Sequence, residues 1–190
     1  ALKRLGIDVK RDDARLDGLL REVKEREAIG YAYEGAEASF ELLARRMLGR
    51  VPTFFTVESF RVMVEHRHNA VGELVTVSEA VVKVDVDGER FLSVAEGNGP
   101  VNALDTALRK DLGRYSDLIA DLELVDYKVR ILDTEHGTDA ITRVLIETSD
   151  GSTTWSTIGV AANILEASWD ALLESVTFGL IRAGVAPRRG

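Results

Sequence analysis

Ala80-Val81-Val82-Lys83-Val84-Asp85-Val86-Asp87-Gly88-Glu89-Arg90-Phe91-Leu92-Ser93-Val94-Ala95 is the stretch whose reading decides the fold. Ala80, Val82, Val84 and Val86 recur at every second position, the period at which a strand returns its side chains to one face. Asp87-Gly88 then supplies residue types that tolerate positive φ in a tight hairpin turn, and Arg90 to Ala95 runs back as a further strand. Upstream, Phe60, Val62, Val64 and His66 alternate against Arg61, Met63 and Glu65, which predicts a half-buried strand. Three antiparallel strands are expected here.

Downstream the period changes. Gly97-Asn98-Gly99-Pro100 breaks the strand, and Pro100 suits a first helical position because its missing N–H would be unpaired there in any case. Val101, Leu104, Leu108 and Leu112 then make a helical stripe. The same order recurs with Val125, Tyr127, Val129 and Ile131, then Ala140 to Thr148, the Asp150-Gly151 turn, and Thr153 to Val160. Asn163 with Glu166 resembles a capping box, and Leu165, Trp169, Leu172, Val176 and Leu180 predict the closing helix. Placing Ala107-Leu108 over Ala171-Leu172 brings Phe91 to Trp155, so the chain reads as βββα twice with an internal repeat of about 64 residues.

Ahead of this pair, Leu16, Leu19, Leu20 and Val23 fall on one helical face opposite Arg21, Glu22, Lys24 and Glu25. After Gly30, Ala36, Phe40, Leu43 and Met47 repeat that spacing until Gly49 and Pro52 end it. The expected class is α+β, with two βββα units forming one domain over 53–182. A small helical subdomain over 1–50 precedes it, and a disordered tail over 183–190 follows.

Composition narrows the chemistry. The 190 residues are 45% hydrophobic, enough for one substantial core, and the net charge of −8 would repel phosphate backbones. No nucleic-acid partner is expected. The absence of cysteine excludes disulfides, zinc-thiolate sites and thiol catalysis, and no apolar run has the length of a membrane span. A cytoplasmic protein with no membrane partner is the expectation. The chain opens on Ala1 inside helix-like, charged sequence up to Arg15, which predicts a piece of something longer.

Several strings resemble the citramalate synthase branch of the isopropylmalate synthase family: Tyr33-Glu34-Gly35-Ala36-Glu37-Ala38-Ser39-Phe40-Glu41-Leu42-Leu43, Glu96-Gly97-Asn98-Gly99-Pro100-Val101-Asn102-Ala103-Leu104 and Gly137-Thr138-Asp139-Ala140. Thr154-Trp155-Ser156-Thr157-Ile158-Gly159-Val160 and Asn163-Ile164-Leu165-Glu166-Ala167-Ser168-Trp169 extend the likeness to about Leu180. The resemblance implies a parent with an N-terminal (β/α)₈ barrel that condenses pyruvate with acetyl-CoA, followed by linker helices and a LeuA-type regulatory domain. Only the last two parts correspond to this chain. It further implies a homodimer and a branched-chain amino acid, isoleucine before leucine, bound near the dimer interface as feedback inhibitor.

Such an effector needs donors for its carboxylate, an acceptor for its ammonium and an apolar slot. Gly97 and Gly99 permit close backbone approach, and the helix from Pro100 offers free N–H groups and the positive end of its dipole. By resemblance, Gly97, Gly99, Val101, Asn102, Leu124, Tyr127, Ile131, Ala140, Ala162 and Ile164 match pocket positions. Asn102 stands where relatives carry an acidic residue, so the ammonium keeps only an amide oxygen there. Tyr127, among Val125, Val129 and Ile131, also reads as a core aromatic with its hydroxyl satisfied nearby.

No catalytic or metal residue and no cofactor is expected. A dinucleotide loop fails because Asn102 takes the place of the third glycine and the flanking strands are hairpins. His66 and His68 share one strand face without an acidic cluster, and His136 falls in a loop. No nucleophile is paired with a base. The fragment is therefore expected to be regulatory, with a purely structural dimerisation domain whose effector site has decayed, or the regulatory domain of a leucine-sensing 2-isopropylmalate synthase, as alternatives.

Overall fold

A computed structural model describes residues 14–132 and 140–185. Helices α1 (Ala14–Ala28) and α2 (Glu37–Met47) precede strands β1 (Thr56–His68), β2 (Leu74–Val86) and β3 (Glu89–Gly97) and helix α3 (Pro100–Lys110). A 3₁₀ turn, Gly113–Tyr115, leads into a short α4 (Ser116–Ile119). Strands β4 (Glu123–Ile131), β5 (Thr142–Ser149) and β6 (Thr154–Ala161) and helix α5 (Ile164–Arg182) complete the chain. Each set of three strands forms its own antiparallel sheet in sequence order, so the fold is α+β with two βββα units. His136, most of the Gly137-Thr138-Asp139-Ala140 string, the segment before Ala14 and the last five residues lie outside the described residues.

Two compact units are present, one from 53–120 and one combining residues up to 52 with 121–182. In the first, β2 and β3 join through Asp87 (φ 56) and Gly88 (φ 84), the left-handed pair that the strand twist demands of a two-residue turn. Ala80, Val82, Val84 and Val86 are buried beneath α3, whose Ala103, Leu104, Ala107 and Leu108 face them. Leu112 and Tyr115 are buried as well, and Phe54 meets the Tyr115 ring edge-on at 5.6 Å. Neither the turn at Gly113 nor α4 is visible as a periodic pattern. Gly113 has φ 55, and a Cβ there would come within 2.9 Å of Phe91.

In the second unit α5 covers β5 and β6. Of the expected stripe, Trp169, Leu172, Val176 and Leu180 are buried and Leu165 is half-buried. The row on the sheet, however, is the small one: Thr157 Oγ1 donates to Ala171 O (2.8 Å), Trp155 Nε1 to Ser175 O (3.3 Å), and the Thr148 and Ser175 hydroxyls meet at 2.6 Å. Small residues let the helix axis come close, and Gly159 shows how close. A Cβ there would lie 1.9 Å from Ala167 O.

The outer strands depart from the expected half-burial. No residue of β1 or β4 is fully buried, although Phe60, Val62, Val129 and Ile131 repeat the apolar alternation. The reason is geometric: α3 and α5 rest mainly on the two later strands of each sheet, leaving the edge strand beyond their reach. A bulge between Leu124 and Asp126 also turns Val125 outward. The leading helices differ in similar detail. On α1 Leu19 is buried but Leu20 is 60% exposed. On α2 Ala38, Ser39 and Leu42 are buried and Met47 is exposed, because α2 is packed on one side by α1 and on another by β6 and α5.

Candidate functional site

Four of the ten nominated residues lie at the start of α3. Gly97 closes β3, and a Cβ on it would sit 2.5 Å from both Ala103 N and Asn102 Oδ1, so the strand end presses directly on the first helical turn. Gly99 is the N-cap, in extended conformation, and no side chain caps the helix. With Pro100 at the first position, the N–H groups of Val101 and Asn102 are the uncapped donors of the turn. This is a place where a carboxylate can be received by backbone donors and the helix dipole.

Asn102 is exposed, and its Oδ1 accepts the Asn98 N–H at 3.2 Å. The amide oxygen expected to face an ammonium is thus already engaged by its own loop, with one lone pair left. Thr106 adds a hydroxyl bond to Asn102 O (2.9 Å) that fixes the same turn.

The other six belong to the second unit. Ile131 stands opposite Thr142, which stands opposite Ala161, so Ile131, Ala140, Ala162 and Ile164 gather at one end of the β4–β5–β6 sheet. Ala140 is buried, whereas Ile131, Ala162 and Ile164 are exposed. Tyr127 lies two repeats of the pleat inward of Ile131, and its hydroxyl meets Ser168 Oγ at 2.8 Å while Ser168 donates to Ile164 O at 2.6 Å. That chain ties β4 to the first turn of α5, where Asn163 Oδ1 receives the Leu165 N–H (2.8 Å), the second helical donor and not the third. Leu124 is not part of this group. It pairs with Thr148, about 20 Å along the strand from Ile131 at some 3.3 Å per residue.

Ser168 was invisible to pattern reading, because a serine inside a helix stripe carries no signal until its partner is known. Beside Tyr127, Asp126 Oδ1 accepts the Tyr127 N–H (2.9 Å), and the ion pair with Lys128 lowers the Asp126 carboxyl and raises the Lys128 ammonium. His66 and His68 are exposed on β1, with His66 Nδ1 3.3 Å from Thr76 Oγ1. Among the described residues no three His, Asp or Glu side chains are grouped as a metal site. No described helix is long and apolar enough to cross a membrane.

A family model described as the LeuA allosteric (dimerisation) domain matches residues 34–180, a window that includes both βββα units and all ten nominated residues. The chain belongs to the LeuA allosteric domain family. Among curated relatives, (R)-citramalate synthase of Streptomyces coelicolor is 52% identical over 186 residues, covering 97% of this chain and 34% of that protein. The (R)-citramalate synthase of Synechocystis is 48% identical over 175 residues, 92% of this chain and 32% of that one. A 2-isopropylmalate synthase of Ruminiclostridium cellulolyticum is 29% identical over 134 residues, with 70% and 23% covered.

The LeuA-domain chain thus spans about a third of the length of the curated relatives it matches. The expected kinship with citramalate synthases is borne out, as is the pair of βββα units. What the two units of this LeuA domain share is an edge strand with no fully buried residue, lying largely beyond the reach of the helix that covers the other two strands.

Proposed function

We propose that this chain is the regulatory and dimerisation module of a citramalate synthase. Its parent condenses pyruvate with acetyl-CoA in a separate barrel, and the module itself carries no catalytic centre. Residues 1–50 act as the linker subdomain and 53–182 as the regulatory domain, in a cytoplasmic protein. The module binds a branched-chain amino acid, isoleucine first, at the interface between two copies, and occupancy is communicated to the barrel as feedback inhibition.

The observation that carries this reading is the uncapped start of α3, held against β3 by Gly97 and offering the Val101 and Asn102 amides. The exposed apolar residues Met63, Leu92 and Val94 of the first sheet supply surface that a second copy would cover. Within the second unit, Tyr127, Ile131 and Ile164 offer an apolar wall of their own. Shifting one methyl within such a wall is worth about 1–3 kcal/mol, so isoleucine, leucine and valine should separate by roughly an order of magnitude.

Isothermal calorimetry with the three amino acids tests the proposal. A saturable heat strongest for isoleucine is expected, and Gly97→Ala should abolish it. Absence of heat and of a thermal shift with all three would remove the sensing role.

A second reading, a structural dimerisation domain without an effector, is favoured by one bond: the Asn98 N–H occupying Asn102 Oδ1. A dimer whose association is the same with and without each amino acid, measured by sedimentation, would select it. A leucine-first order of affinities would instead favour kinship in function with the 2-isopropylmalate synthases. An acyltransferase activity of the fragment itself predicts thiol release from acetyl-CoA with pyruvate, and none is expected.

A further inference from the structure

Within the second unit, a cavity of about 420 Å³ opens among the end of α1, the segment after it, α2 and α5. Its volume lies in the range of small-molecule sites. It shares no residue with the ten positions discussed above.

Charge of both signs converges on it. Arg26 Nε donates to Glu22 Oε1 (2.7 Å), and its guanidinium lies 5.4 Å over the Tyr31 ring. Arg46 Nη1 donates to Glu174 Oε1. A guanidinium has five N–H donors, so each arginine retains several for another acceptor. Asp170 forms no ion pair among the described residues, and burial, with the carboxylates of Glu174 and Glu166, raises its carboxyl. Leu43 and Leu173 line the apolar side.

The second, independent sign is the Tyr33 hydroxyl. It is buried and has no hydrogen-bond partner of normal geometry. Arg26 is near enough to favour the phenolate, but burial outweighs it and pushes the phenol up to about 12. Tyr33 is therefore a neutral donor at physiological pH. A buried donor left unmatched costs free energy that a ligand oxygen would recover.

We propose that this cavity is a second binding site for a small aliphatic α-amino acid, independent of the effector site proposed above. The carboxylate is received by the Tyr33 hydroxyl and the spare donors of Arg46. Its ammonium sits between Asp170 and Glu174, and its side chain lies against Leu43 and Leu173. A cation alone would leave the buried Tyr33 hydroxyl unmatched, and an anion alone would make no use of the exposed Asp170 carboxylate.

The four tyrosines, Tyr31, Tyr33, Tyr115 and Tyr127, make the test direct. Ring-labelled tyrosine is followed by NMR while the chain is titrated with L-isoleucine, 2-methylbutylamine or 3-methylpentanoate. Isoleucine is expected to move the Tyr31 and Tyr33 signals saturably, and the two half-ligands at equal concentration to leave them in place. Asp170→Asn and Tyr33→Phe should each weaken that response by about tenfold, with the fully buried Tyr115 signal reporting an intact fold. Movement of Tyr127 alone would sustain the effector proposal and overturn this one, and movement of Tyr31 and Tyr33 alone would do the reverse. Signals that respond equally to the amine would overturn the amino-acid assignment, and stationary signals throughout would overturn both sites.

Discussion

The two βββα units share strand order, and the same offset that carries Phe91 to Trp155 carries Pro100 to Ile164, the first residues of their helices. Their faces do not repeat. In the first sheet the side turned away from α3 presents Met63, Leu92 and Val94, which are 54%, 61% and 40% exposed. In the second the corresponding side carries Arg130 directly opposite Arg143, and the chain itself supplies cover: Arg143 Nε donates to Gly30 O at 2.6 Å. A Cβ on Gly30 would lie 3.2 Å from Val160. Burial, and after it Arg130, lowers the basicity of Arg143. What repeats is topology, then, while the second unit finishes its outer face with its own leading segment and the first leaves an apolar face bare.

The two units differ most in how closely the helix approaches the sheet. Gly159 in β6 occupies the repeat position of Ala95 in β3, and only in the second unit is there no room for a Cβ, since Ala167 O would be 1.9 Å away. Gly159→Ala is expected to cost about 3 kcal/mol or more, because backbone and not a flexible side chain must move. Ala95→Gly should cost only about 1 kcal/mol, the ordinary loss from added backbone freedom and a missing methyl. Urea unfolding of both variants checks it, and equal costs would mean that the two helices pack alike.

Next in size is the bare face. Leu92→Lys with Val94→Lys should weaken self-association by at least tenfold in sedimentation, since burying an uncompensated ammonium costs several kcal/mol. The pair should leave the stability of the separate chain within about 0.5 kcal/mol. Arg130→Glu on the other sheet is the control and should leave association unchanged. If the control dissociates the protein and the lysine pair does not, the interface lies on the second unit and the comparison has been read the wrong way round.

A smaller effect concerns the free edge of β6. Ser39 Oγ of α2 accepts the buried Ile158 N–H at 3.0 Å, so the second sheet has one edge amide satisfied by a leading helix. Ser39→Ala should cost about 1–3 kcal/mol, the penalty of an unmatched buried donor. Thermal unfolding reports it, and faster exchange of the Ile158 amide would localise the loss.

These contrasts also mark what could be read before the fold was known. The Asp87-Gly88 turn, the Pro100 helix start and the buried alternation from Ala80 to Val86 were legible because each follows from local backbone chemistry. The exposure of Val129 and Ile131 was not, since alternation names a face but cannot say how far a helix reaches across it. Ser39 on α2 and Ser168 on α5 were silent for a related cause: a serine in a helix becomes meaningful only when a distant strand presents Ile158 N or Tyr127 OH. The nominated site divides in the same way. The α3 turn was readable from its glycines, whereas Leu124 stands apart from Ile131 for a reason of strand length that a string of family positions does not carry.

The finest contrast lies between the two hairpin turns. Asp87 and Gly88 close the first by backbone conformation with a single carboxylate bond, from the Gly88 N–H to Asp85 Oδ1 (3.0 Å), while the second is a longer loop drawn around one carboxylate. Asp150 Oδ1 accepts the Ser152 hydroxyl (2.7 Å) and the N–H groups of Ser152 (2.9 Å) and Thr153 (2.7 Å). These bonds, the Ser152 hydroxyl foremost, hold the Asp150 carboxyl down to about 2. Because the folded value lies below the ordinary one, the loop's contribution is complete above the unfolded carboxylate range near pH 4 and is lost as the pH falls towards 2. Carboxyl ¹³C titration should place Asp150 near 2 in the native chain, and Ser152→Ala should return it towards 3.8, its usual value. A midpoint that stays low in that variant would assign the second turn to its backbone donors alone, and the two hairpins would then differ in length but not in kind.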